Sequence, residues 1–109
     1  MRVSAGPLLF ISGQVALDPE GHIVGEGDVR AQTVRVLENI RMILRANGAD
    51  MQDVVSVTVY VTEFAFLDLI ADIRMQCFPS DGPSSAIVEI AKLAMPELLI
   101  EIAAIAALP

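Results

Sequence analysis

Two glutamates sit inside apolar, strand-like stretches and are the residues best placed to do chemistry. Glu101 lies within Leu98-Leu99-Ile100-Glu101-Ile102-Ala103-Ala104-Ile105, where alternation puts it on one face with Leu99, Ala103 and Ile105. A carboxylate on such a face loses hydration and can act as a general base, taking a proton from water near neutral pH. The competing reading is a glutamate on a solvated strand face, or one paired with an arginine. Glu89, in Ile87-Val88-Glu89-Ile90, reads as structural, at a strand edge or in an intersubunit hydrogen bond. Ser84 and Ser85 open the same strand after Gly82-Pro83. They are candidate hydrogen-bond donors to a ligand, or simply local caps of the turn.

No metal or nucleophile constellation accompanies these residues, so no metal and no cofactor are expected. The sole histidine, His22, stands in a turn and reads as solvated rather than as a ligand. The sole cysteine, Cys77, excludes an intramolecular disulfide and sits in an apolar helical context suited to packing. There is no Gly-rich phosphate loop and no histidine-containing triad. The net charge is −7, and four of the seven basic residues (Arg30, Arg35, Arg41, Arg45) fall in one predicted helix. That balance argues against nucleic acid as a partner. The longest apolar runs fall short of the roughly 20 residues that span a membrane. Pro7, Ser12, Gly13 and Gln14 interrupt the N-terminal apolar stretch, unlike a signal peptide. The reading is a cytoplasmic protein with no membrane partner.

The 109 residues fit one domain, 1–109. Residues 2–5 and 8–14 read as a hairpin about Gly6-Pro7, with Leu8 to Ser12 a buried strand. Asp18-Pro19-Glu20-Gly21 is a turn, followed by a short extended piece at His22-Ile23-Val24. Asp28 should cap a helix running to about Ala46, with Val29, Val36, Ile40 and Ile43 as its apolar stripe, widened by Val34, Leu37 and Leu44. Asn47-Gly48 should end it. Over Val54 to Thr62, alternation sends Val55, Val57, Val59 and Val61 to one face and Ser56, Thr58, Tyr60 and Thr62 to the other. A second helix is expected from Phe64 to Phe78, broken by Pro79 through Pro83. Strands at about Ser85 to Lys92 and Leu98 to Ala107 close the chain. The order β-β-α-β-α-β-β implies a two-layer α+β domain, a mixed sheet with two helices on one face. Apolar residues are 54% of the chain against a usual value of about 45–50%. Part of that excess is expected to cover a subunit interface on the open sheet face.

These motifs together resemble the RidA (YjgF-like) family of imine and enamine deaminases. Leu9-Phe10-Ile11-Ser12-Gly13-Gln14 is similar to its early strand, and Asp28 to Asn47 to its first helix, with Gln32, Thr33, Leu37, Glu38, Asn39 and Ile40 in matching places. Gly48-Ala49-Asp50, Asp53-Val54-Val55 and Thr58 to Thr62 match the next segment. Pro83, Val88 to Ala91 and Leu99 to Ala106 resemble the C-terminal signature. The resemblance spans nearly the whole chain. It implies a chorismate-mutase-like fold, a homotrimer with an inner barrel, and ligand clefts between subunits. It also implies hydrolysis of reactive enamines or imines, such as 2-aminoacrylate, to a keto acid and ammonia, with no metal or organic cofactor. Endoribonuclease L-PSP is an older label within the family, and the acidic charge makes it the weakest reading here.

Carried over residue by residue, the resemblance makes Glu101 the water-activating carboxylate and places Ser12 and Gly13 in the cleft. Four positions depart from the family pattern. Ser85 stands where the carboxylate-binding Arg is expected, and Ile87 where a small residue is. Ala71 replaces a frequent Asn, and Arg74 a Tyr. The family's N-terminal segment with its pocket Tyr has no match, the chain starting later. Ser85 cannot supply a charged two-pronged donor. Arg74 either replaces that charge or pairs at the surface with Asp68 or Asp72. The expected partner is a small-molecule metabolite, besides the protein itself. The expected function is a hydrolase of reactive C=N or related electrophilic metabolites that lack the usual α-carboxylate. The alternative is a non-catalytic small-molecule-binding or regulatory trimer.

Overall fold

The computed structural model describes residues 6–78 and 81–109. A mixed four-stranded sheet carries two helices on one face. Strands β1 (Leu8–Gln14), β2 (Val54–Val61), β3 (Ser84–Glu89) and β4 (Ile100–Ala107) lie in the order β1-β4-β2-β3. β4 is antiparallel to both neighbours, and β2 and β3 run parallel through the crossover helix. Helix α1 spans Val29–Ala46 and α2 spans Phe66–Cys77. The expected first strand at 2–5, and the Pro79 and Ser80 part of the helix break, lie outside the described residues. The piece at His22-Ile23-Val24 reduces to a bridge between Leu17 and Ile23.

Period-two alternation explains the layering. Ile100, Ile102, Ala104 and Ala106 of β4 are buried, as are Val57, Val59 and Val61 of β2, and all join one cluster with Val36, Leu37, Ile40 and Leu44 of α1 and Ile70 and Ile73 of α2. Each fully buried Ile or Leu there contributes about 1.5–3 kcal/mol. Asp28 caps α1 as expected, its carboxylate accepting from the amides of Arg30 and Ala31. Gly48, at φ 75°, takes the left-handed conformation just past the helix end.

Three expectations need correction. Val55 does not share the face of Val57, because β2 carries one extra residue there: Val54 pairs with Ala106 and Ser56 with Ile105. The bulge leaves Val54 buried and Val55 only partly so. Val34 is 54% exposed, and its place in the core goes to two polar residues, Gln32 and Thr33. Gln32 is held because all its polar atoms are used. Its amide nitrogen donates to the carbonyls of Gly25 (3.1 Å) and Glu97 (2.9 Å), and its oxygen accepts from the Leu99 amide (2.8 Å). Finally, only one face of β1 is buried: Ile11 joins the core with Leu9 packed against it, while Phe10 is 70% exposed and Leu8 49%. Phe10 and Leu8 lie on the sheet face that the helices leave open.

Candidate functional site

The open face is laid out by the register of four strands. Phe10 pairs with Ile105, Ile105 with Ser56, and Ser56 with Ser84. One step along, Ala103, Thr58 and Ala86 align, and beyond them Glu101, Tyr60 and Val88. Small and hydroxylated residues thus border an apolar patch. A shallow cavity of about 340 Å³ is lined by Phe10, Ser12, Ser56, Thr58, Ala103 and Ile105, among others.

Glu101 shares this face, and its carboxyl group rests on Gly13. The cause is a second bulge. Ile11 pairs with Ala104 but Gln14 with Ile102, so β1 holds one more residue than β4 between them. That extra residue falls at Ser12-Gly13 and re-aims the strand. A Cβ at Gly13 would sit 2.5 Å from the Glu101 Cδ, so only glycine leaves room for the carboxyl group where it lies. Among the described residues, the Glu101 carboxylate has neither a hydrogen-bond nor an ion-pair partner. Glu101 is half-buried and is not among the residues lining either of two nearby cavities. One contains Gly13, the other Ser12 and Ala103.

A second cluster forms on the opposite side of the sheet. Ser85 pairs with Val57, whose side chain faces the helices. Arg74, on α2, reaches down so that Nη2 donates to Ser85 Oγ at 2.9 Å. It does not pair with Asp72, which takes the Arg30 guanidinium through two contacts of 2.8 and 3.0 Å. Val57, Arg74, Met75, Phe78, Gly82, Pro83 and Ser85 enclose about 410 Å³. Arg74 Nε is buried with no hydrogen-bond partner among the described residues. Burial lowers the pKa of this guanidinium below its ordinary value.

The expected site residues therefore divide. Ser12, Gly13 and Glu101 come together on the open face, and Arg74 and Ser85 under α2. Ser84 lies on the open face opposite Ser56, exposed. Ile87 is aligned with Val59 and 38% exposed, and Ala71 is exposed one turn before Arg74. Neither lines the Arg74 cavity. Glu89 is structural, on the edge strand β3, where its Oε1 accepts from the Phe64 amide at 2.8 Å ahead of α2, a helix without a side-chain cap. Cys77 packs against the core, and burial pushes its thiol pKa up, away from the reactive thiolate. Among the described residues, no group of three His, Cys, Asp or Glu side chains is placed to hold a metal ion, and no helix is long and apolar enough to cross a membrane.

The model of the family described as endoribonuclease L-PSP matches residues 2–108. The chain belongs to this family, the YjgF/RidA family. A RutC family protein of Pyrococcus horikoshii is 38% identical over 104 residues, which are 95% of this chain and 82% of that protein. Among solved structures, the Rid family protein YyfB of Yersinia pestis is 38% identical, with a TM-score of 0.81 over 94% of this chain and 80% of that one. RidA of an Antarctic Psychrobacter is 29% identical, with a TM-score of 0.86 over 97% and 85%. The expected α+β fold is the RidA fold. Within the RidA frame, Arg74 meets the one strand position, Ser85, where the resemblance leads one to expect an arginine.

Proposed function

We propose that the protein is a metal-independent hydrolase of small enamines, imines or related electrophilic metabolites. It works as a homotrimer whose clefts lie between copies. The observation that carries this reading is the Glu101 carboxylate, on the open sheet face, seated over Gly13 and without a partner among the described residues. Such a carboxylate can hold a water and take its proton as the water attacks the C=N carbon. The imine nitrogen takes up a proton as the C–O bond forms, giving a carbinolamine. The proton held by Glu101 then passes to that nitrogen. The hydroxyl gives up its own proton as the C–N bond breaks, and ammonia leaves with a carbonyl product. An enamine first gains a proton at carbon to become the imine.

Arg74 and Ser85 hold the substrate in this reading, with Ser12 and Gly13 shaping the wall beside Glu101. In one chain Glu101 and Ser85 belong to opposite sheet faces, their β2 partners being Tyr60 and Val57. A cleft containing both therefore takes Glu101 from one copy and Arg74 from the next. The exposed patch around Phe10, Leu8 and Val88 supports such an assembly, since a neighbouring sheet is the economical cover for it. A cytoplasmic location suits reactive metabolites and the single unpaired cysteine.

The test is ammonia release from freshly generated imines. The wild type should accelerate it, and Glu101→Ala should lose about a hundredfold or more of that acceleration. Equal rates would remove Glu101 from the mechanism. Binding of a metabolite without any turnover would leave the non-catalytic trimer as the better description.

A further inference from the structure

We propose that the Tyr60 hydroxyl gives a proton to the substrate nitrogen as water attacks, and takes one back as the product forms. This role rests on the hydrolase reading above and completes it.

Glu101 alone cannot move every proton the reaction needs. While it accepts a proton from the attacking water, the nitrogen has to gain one, and a carboxylate does not give and take in the same step. Tyr60 stands where such an acid is required. It pairs directly with Glu101 across β2 and β4. Residues paired in this way share a face, with Cβ atoms about 4.5–5.5 Å apart. Val59 and Val61, on either side of Tyr60, are buried in the core, which puts the tyrosine on the open face. The Glu101 carboxyl group leans the other way, over Gly13 of β1. The base therefore sits on the β1 side of β4, and the phenol rises from the β2 side. A C=N bond lying across β4 would meet the base at its carbon and the acid at its nitrogen. Tyr60 is half-buried, and its hydroxyl has no hydrogen-bond partner among the described residues and is not enclosed by them. A ligand can reach it.

The other donors do not suit the step. Ser12, Ser56, Thr58 and Ser84 carry aliphatic hydroxyls, much weaker acids than a phenol. An arginine brought by a neighbouring copy keeps its proton. The single histidine, His22, is 80% exposed in the turn beside Asp18. With Tyr60 the protons balance over one turnover. Glu101 takes one from water as the C–O bond forms, and Tyr60 gives one to nitrogen. The result is a carbinolamine, a protonated Glu101 and a phenolate. Glu101 then hands its proton to the nitrogen. The carbinolamine hydroxyl passes its proton to the phenolate as the C–N bond breaks. The amine and the carbonyl compound leave, and both residues return to their starting states.

Tyr60→Phe removes the hydroxyl and keeps the ring. The test compares hydrolysis of the N-methyl imine of isobutyraldehyde with that of its N,N-dimethyliminium ion, at mildly alkaline pH where the imine is unprotonated. The imine needs a proton at nitrogen, whereas the iminium ion is already cationic and does not. Tyr60→Phe should lower kcat for the imine by about a hundredfold and leave the iminium ion within about threefold of wild type. Glu101→Gln should slow both by about a hundredfold or more. If Tyr60→Phe slows both substrates equally, or neither, while Glu101→Gln still slows them, the role of Tyr60 is overturned and the hydrolase reading stands. A wild type that accelerates neither substrate overturns the hydrolase reading and the role of Tyr60 with it. Tyr60 is the only tyrosine, and the chain has no tryptophan, so its emission gives a readout that does not need turnover. Isobutyraldehyde oxime, an unreactive C=N compound, should change that emission over the same concentrations at which it inhibits imine hydrolysis. Inhibition without any change in emission would place the nitrogen away from Tyr60 and overturn its role.

Discussion

Gly13 decides where the Glu101 carboxyl group rests. A methyl group there would overlap it, yet what it meets is the far end of a flexible side chain, not backbone. Gly13→Ala should therefore leave the melting temperature nearly unchanged while pushing the carboxylate aside. Displacing a catalytic group by about 1 Å can cost on the order of a hundredfold in rate. The expected result is a large fall in kcat for imine hydrolysis with a normal unfolding curve. Little of this contact could be read beforehand. Strand alternation placed Glu101 on the correct face, and a glycine inside a strand signals either a bulge or a close approach. Which residue approaches it depends on the pairing with β4, and pairing is not written locally. Arg74 was legible only as a charge on α2. Its two acidic neighbours, Asp68 and Asp72, suggested a surface pair, but Arg30 from the other helix takes Asp72 first.

At the scale of elements, α1 is tied to the sheet by one buried amide. Gln32 satisfies the Gly25 carbonyl ahead of its own helix and the Glu97 carbonyl and Leu99 amide on the segment that leads into β4. Gln32→Leu keeps the volume and strands those backbone groups away from water. It should lower unfolding free energy by about 2–4 kcal/mol, read from the urea midpoint. Periodicity could not foresee this, since a polar residue on the buried stripe only looks like a break in the pattern. The turn between α1 and β2 carries an acid-sensitive latch. The Asp50 carboxylate accepts from the Met51 amide, and Arg45 donates to it at 3.1 Å, so its pKa lies below the ordinary 3.8. Arg30 lowers Asp72 in the same direction. A depressed folded-state pKa gives stability that is fully present above 3.8 and is lost as pH falls through the lower folded value. Stability should thus be level from neutral pH down to about 5 and then decline. Asp50→Asn should flatten that decline in denaturation curves taken at successive pH values.

For the whole molecule, the open face is the feature a single chain leaves unfinished. The order of the described elements from β1 onward, both helices and the layering were legible because capping, stop signals and alternation agreed with one another. Leu8 to Ser12 misled because an apolar run reads as buried whether its cover is this chain's helices or another copy. Phe10, the most exposed large apolar residue of β1, belongs to the second case in the trimeric account. The central claim is that one working cleft draws Glu101 from one copy and Arg74 from its neighbour. Mixing refolded Glu101→Ala and Arg74→Gln chains tests it most directly. Each variant alone should be nearly inactive, while mixed trimers hold one cleft with both native residues and should recover roughly a quarter of wild-type ammonia release. A mixture no more active than its parents would contradict the account.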